Sequence, residues 1–72
     1  MTHLSFDKRL YSKAALAESA QDFSHLAAFH IQEQDDRIEV TLENIDPDVA
    51  DVLVEEFANH VLYGTIVRRK KW

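Results

Sequence analysis

The stretch Arg37-Ile38-Glu39-Val40-Thr41-Leu42-Glu43 decides the fold, because its apolar side chains occur at every second position. This period of two is typical of a strand with one buried face and one face in water. Upstream, Phe29 and Ile31 alternate with polar neighbours in the same way, and Gln34-Asp35-Asp36 between the two runs has the composition of a turn. The sequence therefore predicts an antiparallel hairpin.

A strand and a helix are predicted before this hairpin. His3-Leu4-Ser5-Phe6-Asp7 alternates polar and apolar residues, as a short half-buried strand does. Ser12 is a good N-cap, since its hydroxyl can accept a hydrogen bond from a backbone N–H of the first helical turn. Apolar residues then recur on one helical stripe: Leu16, Ala20, Phe23 and Ala27. We therefore expect a helix over residues 12–27.

A second helix is predicted after the hairpin. Asp46 is suited to the N-cap of this helix and Pro47 to its first position. Proline lacks a backbone N–H, but an N–H at the first helical position has no partner within the helix in any case. Its apolar stripe consists of Val49, Ala50, Leu53, Val54, Phe57 and Val61. Gly64 is expected to end this helix, since glycine is the usual residue just past a helix C-terminus. The β-branched run Thr65-Ile66-Val67 leaves open a short fourth strand.

The predicted order is β-α-β-β-α, which indicates a ferredoxin-like two-layer α+β sandwich, with the fourth strand present or absent. A right-handed crossover through the first helix leaves room for strand three between strands one and two. Residues 1–72 are expected to form one such domain, with the helices on the apolar face of the sheet. The other face would be polar and open to water: His3, Ser5, His30, Gln32, Arg37, Glu39, Thr41 and Glu43.

The composition limits the classes of function. The chain has 72 residues, and its 46% of hydrophobic residues is ordinary for a globular protein. The absence of cysteine excludes disulfides, thiolate metal sites and cysteine nucleophiles, and a single glycine excludes glycine-rich phosphate loops. No signal-peptide pattern opens the chain, and every apolar run is far shorter than the roughly 20 residues of a membrane span. A cytoplasmic protein without membrane contact is expected.

Charge is distributed unevenly along the chain. Residues 1–67 carry all 13 acidic side chains, whereas Arg68-Arg69-Lys70-Lys71-Trp72 forms a basic tail with an aromatic residue. Four bases and an indole ring could contact phosphates and stack on a base, so a small nucleic-acid-binding protein is an alternative. Nucleic acid is nevertheless not the expected partner, because the acidic body would repel a polyanion.

The histidines do not form a pattern typical of chemistry. His3, His30 and Glu39 would share the open sheet face, which leaves a small metal-binding protein or enzyme as a further alternative. Their spacing matches no metal motif, such as two histidines one helical turn apart. His60 follows Glu56 by four residues, so a charge pair within the helix is expected there. We expect no catalytic residue, no metal ligand and no cofactor.

Five stretches carry a resemblance to a known family: Phe6-Asp7, Leu10-Tyr11-Ser12, the alanine-rich helix through Phe23, Arg37-Ile38-Glu39-Val40-Thr41-Leu42 and Glu56-Phe57-Ala58-Asn59-His60-Val61-Leu62. Over most of residues 4–62 the chain resembles HxsD, the small component of His-Xaa-Ser systems. There HxsD accompanies radical-SAM maturases that modify a repeat-containing peptide. The resemblance implies no catalytic residue. It implies an accessory protein that meets a peptide or an enzyme partner.

The sequence thus predicts a non-catalytic accessory module that docks a peptide or protein partner, such as a radical-SAM maturase or its substrate. Two surfaces are candidates: an unpaired sheet edge, which can take up an extended peptide, and the surface of helix two outside its main stripe. The helix surface could equally seat a second copy of the chain, as in a homodimer. The candidate partner-binding residues are Val52, Leu62, Arg68, Arg69, Lys70, Lys71 and Trp72.

Overall fold

A computed structural model describes residues 1–69 of the chain. The elements are β1 (Thr2–Asp7), α1 (Lys13–Asp22), β2 (Ala28–Glu33), β3 (Arg37–Glu43) and α2 (Leu53–Arg69). The predicted order β-α-β-β-α is confirmed. Three residues of the predicted basic tail lie outside the described residues: Lys70, Lys71 and Trp72.

The sheet has the strand order β1-β3-β2, and β3 is antiparallel to both of its neighbours. Val40 in the central strand is opposite Leu4 on one side and Ile31 on the other, so the apolar positions of all three strands share one face. Residues of both helices join the buried cluster on this face. The predicted α+β sandwich of ferredoxin-like order is therefore confirmed, with three strands among residues 1–69.

The core lies between the sheet and the two helices. Three side chains of β3 have no exposed surface: Ile38, Val40 and Leu42. Phe57 of α2 is equally buried, and its ring centroid lies 6.1 Å from that of Phe6, 5.8 Å from Phe23 and 4.8 Å from Phe29. Truncating Phe57 to alanine would cost about 3–5 kcal/mol of stability, because it would leave a cavity where both outer strands and α2 meet.

The first helix begins as predicted and ends earlier than predicted. The hydroxyl of Ser12 accepts a hydrogen bond from the backbone N–H of Ala15 at 3.2 Å, as an N-cap does. The predicted end at residue 27 is wrong, since α1 ends at Asp22. The backbone N–H of Leu26 donates to the carbonyl of Phe23 at 2.9 Å, so a turn replaces the last predicted helical turn and redirects the chain into β2.

The second helix begins later than predicted. Asp46 caps a turn rather than the helix, because its side chain accepts the backbone N–H of Asp48 at 2.9 Å. Val49 N–H donates to the Asp46 carbonyl and Val52 N–H to the Val49 carbonyl, and this spacing of three residues is that of successive turns. Regular helical structure therefore begins only at Leu53.

The predicted helix end at Gly64 and the fourth strand at Thr65-Ile66-Val67 are wrong, since α2 continues to Arg69. A Cβ atom placed on Gly64 would lie 3.1 Å from the Cβ of Ala15, so this glycine allows α1 and α2 to approach closely. Thr65 is buried, donates its hydroxyl to the Val61 carbonyl and accepts the backbone N–H of Ser12. Gly64 and Thr65, which suggest a helix end in the sequence, instead form the contact between α1 and α2.

Candidate partner-binding surfaces

The outer side of α2 carries an apolar patch of four large side chains that are 42%, 70%, 44% and 50% exposed: Leu62, Tyr63, Ile66 and Val67. Ile66 follows Leu62 by four residues and Val67 follows Tyr63 by four, so the side chains are neighbours on one side of the helix. The buried side chains of α2 lie on the other side: Leu53, Phe57, Val61 and Thr65. The apolar patch is therefore a second stripe that the core does not use.

The sequence identified only one member of the apolar patch. Leu62 belongs to it, whereas Val52 is 49% exposed but lies in the turn before α2. Glu55 and Glu56 occupy the outer side of the helix between Val52 and the patch. Ile66 and Val67 were missed because the helix was predicted to end at Gly64, and continuing the helical period through that residue is the signal that would have found them. Tyr63 precedes Gly64 and was not singled out.

The two described arginines of the predicted basic tail belong to the last turn of α2 and have partners within the chain. Arg68 forms an ion pair with Glu18 of α1 at 2.7 Å and also donates to the Gly64 carbonyl at 3.3 Å. Arg69 donates to the backbone carbonyl of Arg9 at 2.9 Å. Both cations also suit the negative end of the α2 dipole. In this arrangement they tie α2 to the rest of the protein.

Strand β1 lies at one edge of the sheet, and among residues 1–69 it pairs only with β3. The alternation of hydrogen bonds in an antiparallel pair tells which of its backbone groups face outward. The N–H of Lys8 donates to the carbonyl of Asp36, so Lys8 is one of the alternate residues whose backbone groups bond toward β3. Leu4 and Phe6 belong to the same alternate set, because they precede Lys8 by four and two residues. The N–H and C=O groups of His3 and Ser5 therefore point to the outer edge of β1.

The face of the sheet away from the helices, here the polar face, holds a shallow depression of about 320 Å³. Its lining residues are His3, Leu4, Ser5, Gln32, Glu39 and Thr41. His3 Nδ1 lies 3.0 Å from the hydroxyl of Thr41, and Arg37 donates to the hydroxyl of Ser5 at 2.6 Å. Glu39 is half-buried, and in the part of the chain that the structure describes its buried Oε2 atom has no hydrogen-bond partner. The depression therefore contains part of a carboxylate whose inner oxygen is unpaired.

The structure does not assemble the metal set considered from the sequence. His3 contacts Thr41, whereas His30 pairs with Glu43 at 2.9 Å between Nε2 and Oε1. Within residues 1–69, no three histidine, aspartate or glutamate side chains are placed to hold a metal ion together. His3, His30 and Glu39 share the polar face, as predicted, without forming a donor group.

His60 makes contacts that the sequence did not reveal. Its Nδ1 lies 2.6 Å from the hydroxyl of Ser19, and its Nε2 lies 3.6 Å from a carboxylate oxygen of Asp22. The expected pair with Glu56 is replaced by these contacts to α1. A serine, a histidine and an aspartate are thus close together, but Ser19 is only 1% exposed and cannot be reached by a substrate. The group joins the helices.

Two carboxyl groups are held ionised at the protein surface. Hydrogen bonds from Arg9 lower the pKa of Asp7 from its usual 3.8 to about 2. Hydrogen bonds from Lys13 and Lys8 lower the pKa of Glu33 from its usual 4.5 to about 2. Neither carboxylate lines the depression on the polar face. These ion pairs fasten β2 and the end of β1 to the start of α1.

Comparison with known proteins identifies one family. The family model described as His-Xaa-Ser system protein HxsD matches residues 6–66, which take in most of the described fold. No curated protein and no solved structure gives a significant match. Within residues 1–69, neither helix has the length and apolar character that crossing a membrane would require. Membership in a family of this description suggests an accessory role in the His-Xaa-Ser system. The match confirms the resemblance seen in the sequence, and the chain belongs to the HxsD family.

Proposed function

We propose that this HxsD family member is a non-catalytic accessory module that docks a protein partner of the His-Xaa-Ser system, a radical-SAM maturase, on the apolar patch of α2. One observation carries the proposal. Four large apolar side chains are exposed side by side on the helix face opposite the core. Contiguous exposed apolar surface of this kind marks interaction sites in soluble proteins, whereas single exposed apolar residues do not.

The surroundings of the apolar patch define the chemistry of a fitting partner. Glu55 and Glu56 precede the patch on α2 and are exposed, whereas Arg69 follows it. The matching surface is therefore an apolar groove or helix with a basic group at one end and an acidic group at the other. Such charges at the rim select the orientation and partner, while the apolar centre supplies most of the affinity.

A non-catalytic role is supported by the state of the ionisable groups. Surface ion pairs lower the pKa values of the Asp7 and Glu33 carboxyl groups to about 2. Carboxylates with such low pKa values suit neither proton donation nor proton abstraction near neutral pH. Ser19, which has a histidine beside it, is buried. Neither arrangement offers an accessible nucleophile or general acid.

The test is a calorimetric titration of the purified chain with the purified radical-SAM enzyme of its own system. Leu62→Glu is expected to weaken binding at least tenfold, because it places a carboxylate in the centre of the apolar patch. Val52→Glu is the matched control, since it makes the same change at an exposed apolar residue outside the patch, and it should alter the Kd less than twofold. Equal effects of the two substitutions, or an absence of binding by the unmodified chain, would overturn the proposal.

A further inference from the structure

The outer edge of β1 presents backbone and side-chain groups in an order suited to an added strand. His3 and Ser5 direct their N–H and C=O groups outward, as the alternation with β3 requires. The carbonyl of Asp7 is already used, because the amides of Leu10 and Tyr11 donate to it. Two residues thus offer four backbone hydrogen-bonding groups to an extended segment. An extended peptide that bonds to such groups is a common mode of peptide recognition.

The side chains along this edge show which sequence the sheet accommodates. His3 and Ser5 lie on the polar face, bonded to Thr41 and Arg37, while Leu4 is half-buried on the apolar face. Residues 3–5 are themselves a His-Xaa-Ser tripeptide, and within the sheet their histidine and serine side chains lie on one face while the middle side chain lies on the other. Any extended His-Xaa-Ser segment places its side chains in the same way, since side chains along a strand alternate between the two faces.

The depression on the polar face supplies a chemical reason for a histidine beside β1. Glu39 lies opposite Ser5 in the register and is half-buried, and its buried Oε2 has no donor among residues 1–69. Because one oxygen of this carboxylate is buried without a donor, a ligand that donates an N–H to the accessible part of the carboxylate gains a charge-assisted hydrogen bond. A histidine on a strand beyond β1 can approach Glu39 across Ser5, beside the Arg37 side chain that bonds the Ser5 hydroxyl, because two strand spacings amount to only about 10 Å.

We propose that the outer edge of β1 binds an extended His-Xaa-Ser peptide segment as a fourth strand, with its histidine donating a hydrogen bond to Glu39. The inference rests on the proposed role in the His-Xaa-Ser system, which supplies the sequence of the peptide. The other sheet edge is less suitable. On β2 the outward backbone groups belong to Phe29, Ile31 and Glu33, whose side chains lie on the apolar face or in ion pairs with two lysines.

The test is an NMR titration of the full chain with a nine-residue peptide that contains one central His-Leu-Ser, without any enzyme present. The amide signals of His3 and Ser5 should shift most, and their hydrogen exchange should slow, whereas the amide of Ile31 should not respond. A peptide of the same composition with central His-Ser-Leu should bind at least fivefold more weakly, since its histidine and serine then point to opposite faces.

Four substitutions separate the contributions. Ser5→Pro removes an outward N–H on β1 and should weaken peptide binding at least tenfold, whereas Ile31→Pro, the same change on the β2 edge, should leave it within twofold. Ser5→Ala isolates the lost hydroxyl and should also stay within threefold. Glu39→Gln keeps the size of the side chain but loses the charged acceptor, and it should weaken binding about fivefold or more.

Several outcomes would overturn the inference: no peptide-induced shifts at millimolar concentration, shifts centred on Ile31 or on the apolar patch, or equal losses for both proline variants. If circular dichroism shows that Ser5→Pro does not fold, the shift map of the unmodified chain and the effect of Glu39→Gln decide alone. Leu62→Glu should retain peptide binding. A failure of the peptide experiment is thereby distinguished from a failure of maturase docking on α2.

Discussion

Single residues decide how the two helices of this protein meet. Gly64 faces Ala15, and a side chain on it would come within 3.1 Å of the alanine methyl group. Glycine in the interior of a helix ordinarily costs about 1 kcal/mol relative to alanine. Its presence at this position is therefore explained by packing between helices. Thr65 adds a partly buried hydrogen bond to the N-cap residue of α1, and Arg68 adds an ion pair with Glu18 of α1.

A larger side chain at Gly64 should separate the helices. Gly64→Leu is expected to lower the free energy of unfolding by about 1–3 kcal/mol, the usual cost of overpacking, despite the better helix propensity of leucine. Urea denaturation monitored by circular dichroism measures this change. Asn59→Leu places the same side chain on the exposed side of α2 and should change the stability by no more than about 0.5 kcal/mol. Similar values for the two variants would show that Gly64 does not limit the helix approach.

Residue roles differed in how well they could be predicted from the sequence. The capping role of Ser12 was predicted correctly because it depends only on the three residues that follow. The role of Gly64 was predicted wrongly because it depends on Ala15, which is distant along the chain. His60 was similarly assigned to its neighbour Glu56, although its contacts are to Ser19 and Asp22 on the other helix.

At the scale of elements, the strands were predicted well and the helix ends poorly. The alternation in β3 defines which side chains are buried, and the structure places all of its apolar residues in the core. Helix ends are decided by tertiary contacts instead. Phe23 leaves α1 to pack on Phe57, and α2 continues past Gly64 because α1 lies against it. The same error hid half of the apolar patch, Ile66 and Val67.

Ion pairs also join the ends of the secondary-structure elements, and they predict that the stability of the fold decreases at low pH. Glu33 at the end of β2 contacts Lys8 and Lys13, and its pKa of about 2 is below its usual 4.5. Asp7 at the end of β1 contacts Arg9, and its pKa of about 2 is below its usual 3.8. Because both values are lower in the folded state, the folded protein binds these protons less readily than the unfolded chain.

The stabilisation from these pairs is therefore complete above about pH 4.5 and is lost as the pH falls toward 2. We expect the urea midpoint to decrease over this range. Glu33→Gln should make the decrease shallower, because it removes one of the groups that titrate. Gln34→Asn, a change of a neighbouring residue that cannot titrate, should leave the decrease as it is. A Glu33→Gln variant with the unmodified acid dependence would contradict this assignment of the ion pairs.

At the scale of the whole molecule, the two proposed surfaces lie on opposite layers. The apolar patch faces away from the core on the helical layer, and the depression with Glu39 lies on the polar face of the sheet. The shortest dimension of the Cα trace is 17 Å, which is about twice the screening length of charges at physiological salt. A two-layer fold with three strands in residues 1–69 thus places the two proposed binding surfaces on opposite sides of one small domain.

This geometry predicts that peptide and maturase bind at the same time. Saturating the chain with the His-Leu-Ser peptide should change the Kd for the enzyme by less than twofold, since the two ligands neither overlap nor share charged contacts. Size-exclusion chromatography with light scattering should then detect a complex of all three components. Leu62→Glu should remove only the enzyme from this complex, and Ser5→Pro only the peptide. Displacement of the enzyme by the peptide would mean that both use one surface, and the assignment of two separate surfaces would then be wrong.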